Sequence, residues 1–441
     1  MQLSKNKKFQ YLFFFIISIY TIFNGGNSDT SIQINFILIS LLFLYCIKDK
    51  NYNLHFKNFY TKNKISIIIY LFFLFYLIFQ MIPLPIEFLK LFSPTKYNII
   101  NNLEIESSYS SISVVPSNTF FQIINFISML ILVFILKMTF YNQRHKNRLY
   151  LFLSFFGFLS SFIAITFYFN GNPDFFIFKN SYYKYSSTGF FINRTVFAIF
   201  LLFCLISSLE LLKNFNIKST QKKDNFFLKI YIRLFVIFIT VGIITSFSRI
   251  GNFLLLITIL CYSINEFFFR KSENKNFRYI ILLIIFFDIL IMGLYFGGSH
   301  LFDRFYLLRE EFGEISNTTI NLTRFQIIQF GLHELNNYLF FGYGLGGFKT
   351  LFQLNFIDLG SSYANHVHSD IVEFVGELGL IGFFLIIIST LSFFFNKENH
   401  SFINLILILC LIVILLFDFS LHIPVIQFLF ITFLILNKKI I

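Results

Sequence analysis

The sequence predicts an all-α, polytopic integral membrane protein, and three observations carry that prediction. Of its 441 residues 56% are hydrophobic and 13% charged, with a mean hydropathy of +0.72, which leaves too few polar side chains to cover a soluble globule. Apolar runs of about 20 residues, the length that crosses a bilayer, recur along the chain. Lys and Arg alternate between successive connecting segments as the positive-inside rule requires.

Taken in order, the apolar runs give about twelve spans, at residues 10–25, 32–47, 65–83, 119–141, 149–169, 189–212, 230–247, 250–269, 279–297, 371–395, 402–419 and 421–436. Lys5, Lys7 and Lys8 precede the first run without a small-residue cleavage site, so it reads as a retained span. With the N-terminus inside, one set of loops holds Lys48, Lys50, Lys57, Lys62 and Lys64, then Arg144, Lys146 and Arg148. The next two loops on that side hold Lys213, Lys218, Lys222 and Lys223, and then Arg270, Lys271, Lys275 and Arg278. Both termini are then cytoplasmic. The net charge of +13 is therefore a topology signal, and no motif points to nucleic acid.

The 71 Phe without any Trp, beside abundant Ile, Asn and Lys, fit an AT-rich coding bias and carry no functional weight. Cys46, Cys204, Cys261 and Cys410 fall in or at the ends of apolar runs, as small hydrophobes and not as a disulfide or metal framework.

The chain divides into residues 1–297 with spans one to nine, a large outer loop at 298–370, and residues 371–441 with spans ten to twelve, all in one integrated membrane domain. The outer loop is too long for a simple connector. Within it Asn321-Leu322-Thr323-Arg324 opens a helical pattern with Phe325, Ile328, Leu332 and Leu335, which predicts an interfacial helix with Arg324 in its first turn. The pattern ends at Gly342-Tyr343-Gly344-Leu345-Gly346-Gly347-Phe348, whose spacing is not the dinucleotide-binding fingerprint. Either a tight turn brings backbone close to head groups or a substrate, or this is a plain loop with glycines at strained positions.

The most informative stretch follows, Asn365-His366-Val367-His368-Ser369-Asp370 leading into Glu373 and Glu377 at the lip of an apolar run. Ionisable groups at a membrane edge are costly and point to a site. Topology also disfavours cations on the outer side, so Arg194, Arg249 and Arg324 need a reason. Arg304 and Arg309 sit among Asp303, Glu310 and Glu311 and read as local ion pairs. His366, His368 and Asp370 offer metal-ligand types, but no fourth ligand accompanies them and no metal is expected. Glu373 and Glu377 read as acids favoured by a helix N-terminus. Asp288 and Asp418 are the acids buried within spans, and Asp288 has no assigned role.

In this order the motifs resemble those of the O-antigen ligase and O-antigen polymerase superfamily of bacterial surface-polysaccharide enzymes. The resemblance rests on Arg324 ahead of Phe341-Gly342-Tyr343-Gly344-Leu345-Gly346-Gly347-Phe348, on His366-Val367-His368-Ser369-Asp370, and on Glu377-Leu378-Gly379-Leu380-Ile381-Gly382. It includes Ser248-Arg249 and Gly189-Phe190-Phe191-Ile192-Asn193-Arg194, and more weakly Ile82-Pro83-Leu84-Pro85 and Ser111-Ile112-Ser113-Val114-Val115-Pro116. Ser369 departs from the family, which often has Asn after the second histidine.

The resemblance implies a metal-independent glycosyl transfer, without cofactor, on the periplasmic face of the inner membrane. The donor would be a glycan on undecaprenyl pyrophosphate, and the acceptor lipid A core sugar in a ligase or a second lipid-linked glycan in a polymerase. Guanidinium forks match diphosphate oxygens, which selects Arg249 and Arg324, then Arg194, for the leaving group. An imidazole with a pKa near about 6.5 suits deprotonation of a sugar hydroxyl, which selects His368, matching the family's histidine, and then His366. In an extended segment the two would share a face. In-line attack would invert the anomeric centre. The alternative is a twelve-span flippase for lipid-linked oligosaccharides, but polar residues crowd at one face and no internal repeat is visible.

Overall fold

The computed structural model describes residues 2–48, 50–102, 104, 107–174, 183–217, 224–269, 324–356, 364–394 and 402–436. The expected ninth span and residues 298–323, with Asp288, Arg304 and Arg309, lie outside them.

The chain begins with α1 (Gln2–Ile22), a 3-10 turn (Asn24–Gly26) and α2 (Asp29–Ile47), whose start is capped by Ser28 Oγ accepting from Ser31 N at 3.3 Å. Then come α3 (Lys50–Lys62), α4 (Lys64–Met81), and the short helices α5 (Ile86–Phe92) and α6 (Pro94–Asn102). On either side of that pair lie β1 (Leu84–Pro85) and β2 (Tyr109–Ser110), joined antiparallel with Leu84 opposite Ser110. The motif at residues 82–85 is thereby paired with the residues just ahead of the motif at 111–116.

Long helices follow: α7 (Pro116–Thr139), with proline in its first turn, α8 (Gln143–Phe169), α9 (Arg194–Ile217) and α10 (Asp224–Thr245). Next, α11 (Arg249–Ile264) is capped by Ser248 Oγ accepting from Gly251 N at 3.1 Å and runs into a π-helical turn at Asn265–Phe269. The last part holds α12 (Arg324–Asn337), α13 (Phe348–Asn355), α14 (Asp370–Phe394), α15 (Phe402–Phe417), a 3-10 turn (Ser420–His422) and α16 (Pro424–Leu436).

Among the described residues eight helices are long and apolar enough to cross a membrane: α2, α4, α7, α8, α9, α10, α11 and α14. Residues 402–419 and 421–436 correspond to the shorter apolar helices α15 and α16, and α1 holds most of the first expected span. None of the four cysteines forms a disulfide.

In α9 every residue from Thr195 to Lys213 is buried, with α8, α10, α11 and α16 packed against the helix. Small residues make that packing possible. A Cβ on Gly251 would lie 2.4 Å from Ala198 Cβ, and one on Gly157 would lie 2.4 Å from Cys204 Cβ.

The helix α14 is broken at Gly379, where φ is +64° and ψ 173°. Freed carbonyls at such a break need donors in an apolar medium. The glycine turn supplies them: Tyr343 N donates to Gly376 O and Gly344 N to Glu377 O, each at 3.0 Å. Tyr76 Oη donates to Leu378 O at 2.7 Å, and Gln80 Nε2 to Glu377 O at 3.1 Å. Beyond the break Leu380 N donates to Leu339 O at 2.8 Å.

On its other side the glycine turn docks on the motif at residues 111–116 and on the first turn of α7. Val114 N donates to Tyr343 O at 2.8 Å, Thr119 Oγ1 to Leu345 O at 3.2 Å and Asn118 Nδ2 to Gly346 O at 2.9 Å. Lys96 Nζ holds that motif by donating to Ser111 O and Ser113 O at 2.6 Å each, and burial pulls its pKa down to about 8. The glycines do make a tight turn with a close backbone approach, but the backbone they approach is that of α14, in place of the head groups or substrate expected from the sequence. A Cβ on Gly342 would fall 2.3 Å from Glu377 O.

Candidate functional site

A cleft of about 700 Å³ opens at one end of the bundle. Its wall is made from helix starts and turns that are distant in sequence: the Asn24–Gly26 turn, the first turns of α7, α9, α12 and α14, and the Ser420–His422 turn. Helix starts suit this role, because their first N–H groups lack partners within the helix and the macrodipole there favours anions.

Arg194, Arg324, His366 and His368 all line the cleft, together with Lys349. Arg324 opens α12, as its sequence pattern predicted; Ile327, Gly331 and Glu334 form the buried face and Phe325 and Leu332 are exposed. Arg194 opens α9 under the cap of Asn193, whose Oδ1 accepts from Thr195 N at 2.7 Å, and its guanidinium lies 5.2 Å from the Tyr183 ring centroid. Arg249 opens α11 and is not part of the cleft lining. Its neighbour Ser248 reaches the cleft wall, donating through Oγ to Thr195 Oγ1 at 3.0 Å.

The two histidines differ in their settings. His366 Nδ1 donates to Glu373 Oε1 at 2.8 Å, and its ring stacks on Phe419 with centroids 4.5 Å apart and an angle of 10°. The second oxygen of Glu373 accepts from Val367 N at 2.8 Å, so the carboxylate is fixed at both ends. A carboxylate that accepts at Nδ1 fixes the tautomer and leaves Nε2 as the basic position. His368 takes a left-handed backbone with φ +64°, which bends the segment away from a plain strand and points its ring edge-on to Phe419. Burial first, and then the nearby Arg324 charge, lower its pKa from 6.5 to about 4. It is neutral at physiological pH.

The acids on α14 do more than complement a helix N-terminus. Glu377 Oε1 accepts from Gly346 N at 2.7 Å and its other oxygen lies 3.3 Å from His422 Nε2, while Asp370 bonds His422 Nδ1. His422, Glu373 and Glu377 also line the cleft. His422 is not among the expected site residues, because it falls inside the apolar run expected at 421–436; its sequence signal is a second polar cluster, Asp418 to His422, where two apolar runs meet. Asp418 is buried and accepts from Ser420 Oγ, and its carbonyl accepts from Asp370 N at 2.8 Å.

The three metal-ligand types offered by the sequence, His366, His368 and Asp370, do not come together, as Asp370 faces His422. The groups that do converge are His366, Glu373 and His422, with one ligand atom from each lying within 4.8 Å of the others. Those atoms are already used among themselves, as His366 Nδ1 bonds Glu373 Oε1 and His422 Nε2 lies 3.6 Å from that same oxygen. This arrangement is that of a hydrogen-bonded carboxylate and imidazole set, suited to orienting a base. Beside it, the guanidinium groups of Arg194 and Arg324 present paired donors of the kind that phosphate oxygens accept from.

Residues 234–387 match the family model for O-antigen ligase. The matched stretch runs from within α10 to within α14, so it contains Arg249, Arg324, the glycine turn, both histidines of the 366–368 segment, Glu373 and Glu377. Arg194, Asp418 and His422 fall outside it. None of the curated proteins matches the chain.

Proposed function

We propose, from the match of residues 234–387 to the O-antigen ligase family model, that this multi-pass membrane protein moves a glycan from undecaprenyl pyrophosphate to an acceptor hydroxyl. The acceptor is lipid A core sugar in the ligase form of the reaction and a lipid-linked glycan in the polymerase form. The observation that carries the reading is the cleft itself, where arginines from α9 and α12 meet the 366–368 histidines. A cleft at one end of the bundle, walled by helix starts, supports an enzyme over a flippase, whose binding groups belong near the midplane. The alternation of Lys and Arg supports about twelve spans, cytoplasmic termini and a cleft on the periplasmic face of the inner membrane.

In the reaction Arg324 and Arg194 grip the diphosphate and stabilise the charge that grows as the glycosyl bond breaks. Arg249, next to the cleft wall, steadies that surface from behind or reaches the same phosphates when donor is bound. His368 is neutral and beside Arg324; an arriving diphosphate offsets the Arg324 charge and makes His368 a stronger base for the acceptor hydroxyl. Attack opposite the leaving diphosphate inverts the anomeric carbon. The Glu373–His366 pair favours a second assignment, with His366 as base and Glu373 as its orienting carboxylate.

Purified protein in nanodiscs, given a lipid-linked glycan and acceptor, tests the proposal. Transfer with inversion that persists in EDTA is expected; retention of configuration, or no transfer to either acceptor, overturns it. Deleting the gene separates the two forms, since loss of all capping marks a ligase and survival of a single repeat on lipid A marks a polymerase.

A further inference from the structure

His422 is tied to three acids at the cleft floor from outside the family-matched stretch. Its ring stacks on Phe374 with centroids 4.0 Å apart at 14°. Nδ1 bonds Asp370 Oδ1, and Nε2 lies 3.3 Å from Glu377 Oε2 and 3.6 Å from Glu373 Oε1. Asp370, Glu373 and Glu377 are 0%, 1% and 0% exposed and occupy successive turns of α14. Like charges at that spacing repel, and burial makes an uncompensated carboxylate costly.

An imidazole with both nitrogens turned to carboxylates has no lone pair free to take a proton from a hydroxyl, because ionised carboxylates only accept. What His422 reaches is the scaffold of the site. Asp370 Oδ2 accepts from Leu421 N at 2.9 Å, Glu377 Oε1 accepts from Gly346 N at 2.7 Å, and Glu373 carries His366. A single ring thus joins the turn before α16, the start of α14 and the glycine turn.

We propose that His422 is a positioning residue, a two-ended hydrogen-bond donor that fixes the α14 carboxylates and, through Glu373, aims His366 into the cleft. Its kinetic consequences rest on the glycosyl-transfer reading; its structural consequence does not.

The test uses the full chain in nanodiscs. H422N keeps a donor on the Asp370 side, H422Q keeps one on the Glu377 side, and H422Q combined with E377Q removes a buried charge along with the imidazole. The expected result is that the single variants stay folded by thermal unfolding, lose roughly 10- to 100-fold in kcat as the site loosens, and keep KM for the donor within about twofold. The double variant recovers part of the lost kcat. Unchanged kcat in folded H422N and H422Q overturns the proposal, as does loss of KM alone or of stability alone. Hydrogen exchange over residues 364–377 gives a readout independent of activity: faster exchange in H422Q supports the proposal and unchanged exchange overturns it. If the native protein transfers no glycan while that exchange still rises, the transfer reading fails and the positioning role stands.

Discussion

Helices α9 and α14 divide the work of this molecule in opposite ways. The apolar stretch of α9 is buried from Thr195 to Lys213, yet only the first residues of the helix, from Arg194 to Val196, reach the cleft. The span in α14 is only 33% buried, yet it is broken at Gly379 and carries Asp370, Glu373 and Glu377 in its first turns. Depth of burial marks the packing core. The site is marked by polar groups and irregular backbone, which an apolar solvent tolerates only where other protein groups satisfy them.

The comparison breaks first if the α14 end can lose its histidine without consequence. His368→Ala should lower kcat about 10²- to 10⁴-fold, the range for a missing general base, measured by single-turnover transfer. Glu373→Gln should cost less; a loss equal to that of His366→Ala, with His368→Ala mild, would move the base role to His366.

Arg324→Ala should cost about 10²- to 10³-fold, as for one missing charge-stabilising donor set, and Arg324→Lys should recover only part because an ammonium lacks the paired fork. Arg194→Ala should cost less, since that guanidinium already lies over Tyr183.

Acidity sharpens the contrast further. With His368 as base, the acid limb of kcat/KM should fall near pH 4, because the free enzyme protonates this ring only there. Arg324→Gln should move the limb upward, but only in part, since burial is the larger cause. The same ring protonates near about 6.5 when unfolded, so between these values the unfolded state binds more protons. The stability from neutral burial should therefore be complete above that window and fall as pH drops through it, seen as earlier thermal unfolding at pH 4.5 than at pH 7.5.

The smallest effect on chemistry is expected in α9. Leu205→Ala opens a cavity at a fully buried position and should lower stability by about 2–5 kcal/mol on the scale of core truncations, with kcat per folded molecule unchanged. A large kcat loss in a folded Leu205→Ala protein would show that α9 does more than carry its cleft-facing end.

Much of this was legible in the chain. Helix class and most span positions follow from hydropathy, the start of α12 at Arg324 follows from its periodic pattern, and the 366–368 segment stands out as polar chemistry beside an apolar run. The glycines announced a close backbone approach, and the carbonyls at the Gly379 break, which the turn's N–H groups meet, were not visible as its partner. Glu373 and Glu377 read in the sequence as ordinary acids at a helix start, because their partners His366 and His422 come against them only through tertiary packing. Arg249 shared its sequence signal with Arg194 and Arg324, but only those two line the cleft.

The sequence by itself determined that the chain is a bundle of apolar helices with its chemistry confined to their ends, because each segment's choice of solvent is a local property of its side chains. Which ends meet was decided by tertiary packing, through small residues such as Gly251 against Ala198 and through donors such as Gln80 that reach the break in α14. Helix packing brings together residues 45 positions apart, as His422 and Glu377, and 297 apart, as Gln80 and Glu377, and no local pattern encodes that choice. Only the folded bundle therefore put His422 beside Glu377 and Arg194 on the same cleft as His368.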